Sequence, residues 1–257
     1  MTSNRLNGKV ALVTGASRGI GRGIALRLAE DGARAVAITY HSDRASAESC
    51  AAAIQQAGAI PIPIQARLEE PDEITSLFST LDKQLTERLG NAGLDIVVNN
   101  AGSGGWDTLE TSVPDTFDKI IAIHLRAPFF VTQAAVKRLR DGGRIINMSS
   151  GWSKRPSAMA PVYSMAKAGT NALAQALAAP LGERRITINT VAPGWTITDG
   201  TAGPRSDPAL VKQVEADTAL NRFGEPADIA AVVAAFASDD GAWLTGQYID
   251  ASGGYQV

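Results

Sequence analysis

Short apolar runs recur along the chain, and within them neighbouring positions are apolar instead of alternating with polar ones. Ile96, Val97 and Val98 are an example. Strands that are buried on both faces of a sheet have this pattern, whereas a strand with one solvated face alternates. The runs predict strands at Val10–Thr14, Ala35–Tyr40, Pro61–Gln65, Asp95–Asn99, Arg144–Met148, Ile186–Val191 and Gln247–Asp250.

Between the runs lie segments of helix-forming residues with apolar positions three and four apart. The clearest are Gly19–Asp31, Ser42–Ala57, Asp72–Leu89 and Ala227–Ala237. Alternation of strands and helices indicates a parallel sheet that is covered on both faces. We therefore predict an α/β fold with a single doubly wound parallel sheet of the Rossmann type, as one domain over residues 1–257.

The longest stretch without a regular pattern runs from Pro193 to Asn221 and is rich in Gly, Pro, Thr and Asp. Long irregular segments in a compact domain often cover a functional site. Residues 193–221 are therefore predicted to form a lid over the substrate.

Composition and charge narrow the class of protein. Of the 257 residues, 45% are hydrophobic and 19% charged, with a net charge of −2 and no cluster of Lys and Arg. This balance argues against nucleic acid and anionic membranes as partners and favours a small-molecule substrate. The one cysteine, Cys50, excludes an intrachain disulfide and a cysteine-based metal cluster. Two histidines supply few metal ligands, so no metal is expected. The N-terminal MTSNRLNGK has no apolar core of a signal peptide, and a cytoplasmic location is expected.

A glycine-rich loop follows the first predicted strand and leads into a helix. Gly15, Gly19 and Gly21 stand there in the pattern G-x-x-x-G-x-G. Glycines at such a turn let the backbone approach a pyrophosphate, which then lies at the positive end of the helix. Glycines alone are weak evidence, because a tight turn also requires them.

Further motifs follow in a fixed order after the later strands: Asn99-Asn100-Ala101-Gly102, Ser150, Tyr163-Ser164-Met165-Ala166-Lys167 and Pro193-Gly194. Together with the glycine loop, they span nearly the whole chain. In pattern, order and spacing the sequence resembles the classical short-chain dehydrogenase/reductase family. The resemblance implies an oxidoreductase that transfers hydride between a nicotinamide cofactor and a carbonyl or secondary alcohol.

Tyr163 and Lys167 form the predicted acid/base centre. Four positions apart on a helix, they share one face. A nearby ammonium lowers the pKa of a phenol, which is about 10 in water, and Ser150 lies just beyond a strand end, where it could hold a substrate oxygen. An isolated pair of this kind would be ordinary packing. The resemblance implies that Tyr163 protonates the carbonyl oxygen, Ser150 orients it, and Lys167 lowers the tyrosine pKa and binds the nicotinamide ribose.

The residues expected to bind the cofactor come from the loops at the strand ends. They are Gly15, Ser17, Arg18, Gly19, Ile20, Gly21, Tyr40, His41, Ser42, Leu68, Asn100, Ala101, Gly102, Tyr163, Lys167, Pro193, Gly194, Thr196 and Thr198.

His124 departs from the family pattern, which usually has an asparagine at this place in a proton relay. Because Pro128 has no N–H, the carbonyl of His124 is expected to be free to hold a water. The imidazole could add a group that titrates in the relay. Alternatively, it could be a buried histidine without a proton role, or catalysis could have decayed.

NADP(H) is favoured over NAD(H). NAD enzymes usually have a carboxylate about 20 residues beyond the glycines, where this chain reads Thr39-Tyr40-His41-Ser42. Arg18 could pair with a 2′-phosphate, although Asp43 could reach the same place. After the third strand, Arg67 could stack on the adenine or point to solvent.

The sequence does not identify the substrate. Trp106, Trp152, Met159 and Trp195 could line an apolar pocket for a bulky or aromatic carbonyl compound. Helices around Pro114–Leu139 and Pro161–Gly182 resemble those that build tetramers in the family, so a homotetramer is predicted, with a dimer as the alternative. The rival function is a nucleotide-sensing protein that keeps the fold without turnover.

Overall fold

A computed structural model of the chain describes residues 4–102 and 104–257. Its centre is a parallel sheet with the strand order β3-β2-β1-β4-β5-β6-β7. The strands are β1 Val10–Val13, β2 Ala35–Tyr40, β3 Ile60–Gln65, β4 Leu94–Asn99, β5 Leu139–Met148, β6 Thr187–Pro193 and β7 Tyr248–Ala251. The predicted doubly wound α/β fold is confirmed.

Helices cover both faces of this sheet. They are α1 Gly19–Glu30, α2 Arg44–Gln56, α3 Pro71–Leu89, α4 Pro114–Ile121, α5 Ala127–Val136, α6 Pro161–Gly182, α7 Pro208–Ala216 and α8 Pro226–Ala237. Many begin at a proline. Proline has no N–H, but no hydrogen bond is lost in the first turn, because the N–H groups there have no acceptor within the helix. In the described part of the chain, no helix is both long and apolar enough to cross a bilayer.

The central strands contribute to two hydrophobic cores because their side chains point alternately to the two faces. In β1, Ala11 and Val13 pack with α1, α2 and α8. Val10 and Leu12 pack on the opposite face with α3, α5 and α6. Burial on both sides explains why the apolar runs in the sequence are nearly continuous.

Two predicted segments differ from the structure. Pro114–Leu139 is not one helix, because a π-helical turn at Ala122–Arg126 separates α4 from α5, and Leu139 already belongs to β5. The stretch from Pro193 to Asn221 is less irregular than expected, since it contains α7. Pro208 starts this helix, and the Asp207 carboxylate accepts a hydrogen bond from the backbone N–H of Ala209, which caps it.

The packing of α3 gives a stability prediction. Leu81 is fully buried on α3, whereas the side chain of Leu109 is 81% exposed. Leu81→Ala should lower the free energy of unfolding by about 2–5 kcal/mol, because it removes apolar contacts and leaves a cavity. Leu109→Ala should change it by less than about 0.5 kcal/mol. Urea unfolding at one protein concentration measures both, and equal losses would contradict the assignment of α3 to the core.

Candidate active site

The loops after β1 and β4 are held together by one threonine and one asparagine. The Thr14 hydroxyl oxygen accepts hydrogen bonds from the backbone N–H groups of Asn100 at 2.9 Å and Ala101 at 3.0 Å. In return, the Asn100 amide donates to the carbonyls of Thr14 and Gly15, both at 2.9 Å. The strand order reverses between β1 and β4, and a crevice opens there at the carboxyl ends of the strands.

This junction explains two glycines of the predicted phosphate loop. A Cβ on Gly15 would lie 2.6 Å from the Cα of Ala101, and one on Gly21 would lie 2.4 Å from the Asn100 amide nitrogen. Gly15 also has a positive φ of 62°, which L side chains rarely adopt. Both positions therefore require glycine for the loops to cross this closely.

The N-terminus of α1 opens into the crevice. Arg18 is the N-cap residue, and its side chain makes no capping hydrogen bond. Gly19, Ile20 and Gly21 form the first turn and line the cavity. First-turn N–H groups have no intrahelical acceptor, so this end of the helix can accept an anionic group.

A cavity of about 530 Å³ contains most of the predicted site. The predicted residues that line it are Gly15, Ser17, Arg18, Gly19, Ile20, Gly21, Tyr40, His41, Asn100, Gly102, His124, Ser150, Tyr163, Lys167, Pro193, Gly194, Thr196 and Thr198. Three predicted cofactor residues lie outside this lining. Leu68 is buried in the core beside α3, Ala101 packs against the same core, and Ser42 is exposed at the start of α2.

Ser150, Tyr163 and Lys167 meet on one wall of the cavity. Ser150 precedes a short 3₁₀ turn at Gly151–Ser153, where its hydroxyl oxygen accepts a hydrogen bond from the N–H of Trp152 at 3.2 Å. Tyr163 and Lys167 lie on α6 one turn apart. The Lys167 ammonium donates to the carbonyl of Met148 at 2.7 Å and lies 5.7 Å from the centre of the Tyr163 ring.

Burial changes the pKa of both groups on α6, in opposite directions. It raises the pKa of the Tyr163 phenol, and a hydrogen bond with Ser150 opposes only part of that change. It lowers the pKa of Lys167 to about 8. In this structure the Lys167 ammonium is bound to Met148 and burial dominates the pKa of the phenol, so the lowering of the tyrosine pKa by Lys167 stays a prediction.

His124 lies in the π-helical turn, with its ring buried against the centre. Its ring meets that of Tyr163 edge to face, with centroids 4.9 Å apart at 85°. A Cβ on Gly102 would lie 2.5 Å from the imidazole, so glycine makes room for the ring. The expectation of a free His124 carbonyl is wrong. The Thr170 hydroxyl lies 2.9 Å from the His124 carbonyl and 3.1 Å from the Ala166 carbonyl. It has one proton, which it can donate to either of the two.

Charges of both signs lie around Arg18, at the glycine-loop end of the cavity. Asp43 caps α2, and the N–H of Ser46 holds the pKa of its carboxyl below the usual range. Arg18 lies 3.9 Å from the Asp43 carboxylate and 3.8 Å from that of Asp199. Arg67 pairs with Glu73 at 3.2 Å, so its guanidinium is bound to α3.

The cavity also includes residues that the sequence analysis missed. Gly104, Gly105, Arg155, Ser252 and Tyr255 are among them, whereas Asp199 and Thr201 come from the predicted lid segment. Ser252 and Tyr255 follow β7, so the rule that sites collect beyond the carboxyl ends of parallel strands could have indicated them. Trp106, Trp152 and Trp195 line the cavity as expected, whereas Met159 is exposed outside its lining.

Comparison with known proteins identifies relatives over almost the full length of the chain. A family model described as enoyl-(acyl carrier protein) reductase matches residues 15–256. Versicolorin reductase stcU from Emericella nidulans is 39% identical, over 97% of this chain and 96% of its own. Trihydroxynaphthalene reductase from Colletotrichum orbiculare is 35% identical, over 98% and 91%.

A solved structure gives the same result. The landomycin C-6 ketoreductase LanV with bound NADP and rabelomycin superposes with a TM-score of 0.89 at 42% identity, over 98% of each chain. Fold, motif order and these similarities agree with one another. The chain belongs to the short-chain dehydrogenase/reductase family.

Proposed function

We propose that this protein is an NADPH-dependent carbonyl reductase, or alcohol dehydrogenase in the reverse direction. The observation that carries the proposal is one shared cavity. Ser150, Tyr163 and Lys167 line it together with the glycine loop and the N-terminus of α1. Relatives named as reductases of keto and naphthalene compounds support the reaction class.

The residues present fit a dinucleotide. The crossing at Gly15 and Gly21 leaves backbone, not side chains, along the crevice, and the uncapped first turn of α1 suits a pyrophosphate. Asn100, Gly102, Pro193, Gly194 and Thr196 extend the same lining toward Tyr163. NADPH supplies the hydride when it is bound, and the protein supplies position and proton.

Tyr163 acts as the proton donor in this proposal. Because burial raises its pKa, the phenol keeps its proton at neutral pH and can give it to the substrate oxygen. Ser150 donates a hydrogen bond to that oxygen. Lys167 has three N–H donors, one of which is held by Met148, and the other two would be available to hold the ribose of a bound cofactor.

Arg18 and the end of β2 support a preference for NADP(H). Tyr40 and His41 line the cavity there, and neither carries a negative charge that would repel a phosphate. The Asp43 carboxylate points toward the first turn of α2, where it accepts a hydrogen bond from the backbone N–H of Ser46 at 3.0 Å. The Arg18 guanidinium is exposed and can exchange its carboxylate neighbours for a 2′-phosphate.

Residues 193–221 are proposed to cover the bound substrate. Thr196 and Thr198 at the start of this segment line the cavity. Asp199 lies 3.8 Å from Arg18, so the segment already spans the crevice to the glycine loop.

We also propose that the protein is a cytoplasmic homotetramer, with a dimer as the alternative. Phe129 and Phe130 on α5 and Met165 on α6 expose large apolar side chains, and such surfaces are often interfaces. The single cysteine suits a reducing compartment.

Tyr163→Phe tests the reaction. It should lower NADPH oxidation with a ketone by about 10²–10⁴-fold, since only proton donation is removed. Absorbance of NADPH measures turnover, and calorimetry should show that NADPH binding is retained. Tight NADPH binding with no turnover in either wild type or variant would favour the sensing protein instead.

Arg18→Gln tests cofactor choice. Loss of a charge-assisted contact with the 2′-phosphate should raise KM for NADPH by about 10- to 100-fold and leave KM for NADH nearly unchanged. Arg22→Gln is the matched control, because Arg22 lies on the same helix but outside the cavity lining. Equal effects on both cofactors would remove Arg18 as the determinant.

His124 is proposed to position the Tyr163 ring and to affect its proton transfer. The edge-to-face contact places the imidazole beside the phenol, with Lys167 one turn further along α6. A histidine in water titrates at about pH 6.5, and a positive charge on the imidazole would lower the pKa of the phenol and make it a stronger proton donor.

His124→Asn should therefore change the pH dependence of kcat, measured at saturating NADPH and ketone between pH 5 and 9. We expect the acidic limb of the profile to flatten. His41→Asn is the control, because His41 lies at the β2 end of the cavity and should affect cofactor binding only. An unchanged profile in the His124 variant would show that the imidazole has no proton role.

A further inference from the structure

A second arginine lines the cavity, on the side away from the glycine loop. Arg155 follows the 3₁₀ turn after β5 and is part of the lining. Its guanidinium donates a hydrogen bond to the carboxylate of Asp250 on β7, at 2.7 Å. In the strand order, β7 is the last strand and is separated from β1 by β4, β5 and β6. Arg155 therefore lies toward the β7 edge of the sheet, whereas Arg18 lies by the glycine loop after β1.

The Arg155 guanidinium lies next to the proposed catalytic serine. Gly151 directly follows Ser150 in the sequence. A Cβ on Gly151 would lie 3.5 Å from one guanidinium nitrogen of Arg155 and 3.9 Å from the carbonyl oxygen of Pro193. The backbone N–H of Arg155 also donates to the Gly151 carbonyl at 3.0 Å, which fixes the start of the side chain. A substrate whose carbonyl is held by Ser150 thus has a cation beside it, one residue further along the chain.

Only the positive member of the Arg155–Asp250 pair belongs to the cavity lining. Among the described residues, the one carboxylate in the lining is that of Asp199, and it lies 3.8 Å from Arg18. The contact with Asp250 joins one guanidinium nitrogen to one carboxylate oxygen, and a guanidinium has five N–H donors. The Arg155 side chain is 31% exposed. Its remaining donors are therefore available to a ligand in the cavity.

The wall next to Arg155 is polar and is held by main-chain hydrogen bonds. A Cβ on Gly194 would lie 2.7 Å from the Cβ of Ser252, so the segments after β6 and β7 are in contact. The Ser252 hydroxyl accepts a hydrogen bond from the N–H of Tyr255 at 3.1 Å. Gly254 in turn accepts from the N–H of Ala219 at 3.1 Å. Two hydroxyl groups, of Ser252 and Tyr255, thus line the cavity on the same side as the guanidinium.

We propose that Arg155 binds a carboxylate of the substrate, so that the preferred substrate is a ketone that also carries a carboxylate. This inference rests on the proposed reductase function. A guanidinium can offer two parallel N–H groups to a carboxylate, which gives both affinity and a fixed orientation. With its carboxylate held there, the substrate would present its ketone to Ser150 and Tyr163. Asp250 is a positioning residue, because it holds the guanidinium from outside the cavity lining.

The alternative is that the ion pair only ties the loop after β5 to β7. The two members of the pair separate these possibilities. If the pair is structural, removal of either charge should disturb the site in the same way. If Arg155 binds a carboxylate, removal of the Asp250 charge should strengthen that binding, because it leaves the guanidinium without its competing anion. Both side chains are partly exposed, and such pairs contribute little to stability, so both variants should fold.

The first test compares 4-acetylbenzoate with 4-acetylbenzamide, which have nearly the same shape and differ in charge. Wild-type kcat/KM should be at least about 10-fold higher for the benzoate. Arg155→Met keeps an apolar stem and removes the charge. It should lower kcat/KM for the benzoate by about 10- to 100-fold and for the benzamide by less than about 3-fold. The 3-acetyl isomers repeat the comparison in a second geometry, and the absence of a preference in both pairs would overturn the proposal.

Asp250→Asn and Lys154→Met complete this set of variants. Asp250→Asn should raise kcat/KM for the benzoate by about 2-fold or more, and a fall for both substrates would show that the pair is structural. Lys154→Met is the matched control, because it removes one positive charge from the neighbouring residue. The Lys154 ammonium lies over the Tyr248 ring, 4.0 Å from its centre, and outside the cavity lining. An equal loss in the Lys154 and Arg155 variants would overturn the proposal.

A binding measurement separates this inference from the reductase function. We would titrate 4-methylbenzoate, which has no ketone, and follow its NMR signals with NADP⁺ present. Its Kd should rise by about 10-fold or more in Arg155→Met and stay unchanged in Lys154→Met. If wild type reduces neither ketone but this pattern holds, the carboxylate site stands and the reductase function fails. If both ketones are reduced equally and 4-methylbenzoate binds equally to all variants, the carboxylate site fails and the reductase function stands.

Discussion

The junction between the loops after β1 and β4 is the constraint on which the site depends. Thr14 and Asn100 exchange their hydrogen bonds within a space that admits no Cβ at Gly15 or Gly21. This fixes the start of α1, and with it the direction of its free N–H groups. A larger residue at either glycine would separate the loops and move the helix end away from the proton-transfer centre.

Burial has opposite consequences for the two ionisable groups on α6. Low polarity favours the neutral form of each, so the phenol holds its proton more firmly and the amine holds it less firmly. Compared with the same groups in water, Tyr163 therefore loses its proton less readily and Lys167 loses its proton more readily. The Met148 carbonyl stabilises the remaining ammonium and fixes its place.

Local patterns in the sequence were sufficient to predict the strands and the glycine loop, because continuous apolar runs and turn glycines are properties of neighbouring residues. Contacts between distant residues were not accessible in this way. Pro128 indicates a missing helical bond to His124, but not that Thr170 on α6 would approach that carbonyl. Likewise, the sequence around Arg67 does not indicate its ion pair with Glu73. Ser252 and Tyr255 differ from these, because their place after the predicted seventh strand indicates the carboxyl edge of the sheet.

The π-helical turn at Ala122–Arg126 has a consequence for the length of this segment. The N–H of Ala127 bonds to the carbonyl of Ala122, five residues back instead of four. Deleting one residue before His124 would allow a regular α-helix, but it would rotate the imidazole by about 100° around the helix axis. The ring would then leave Tyr163 and the space that Gly102 provides. In this segment the number of residues, and not only their identity, decides which side chain faces the reaction.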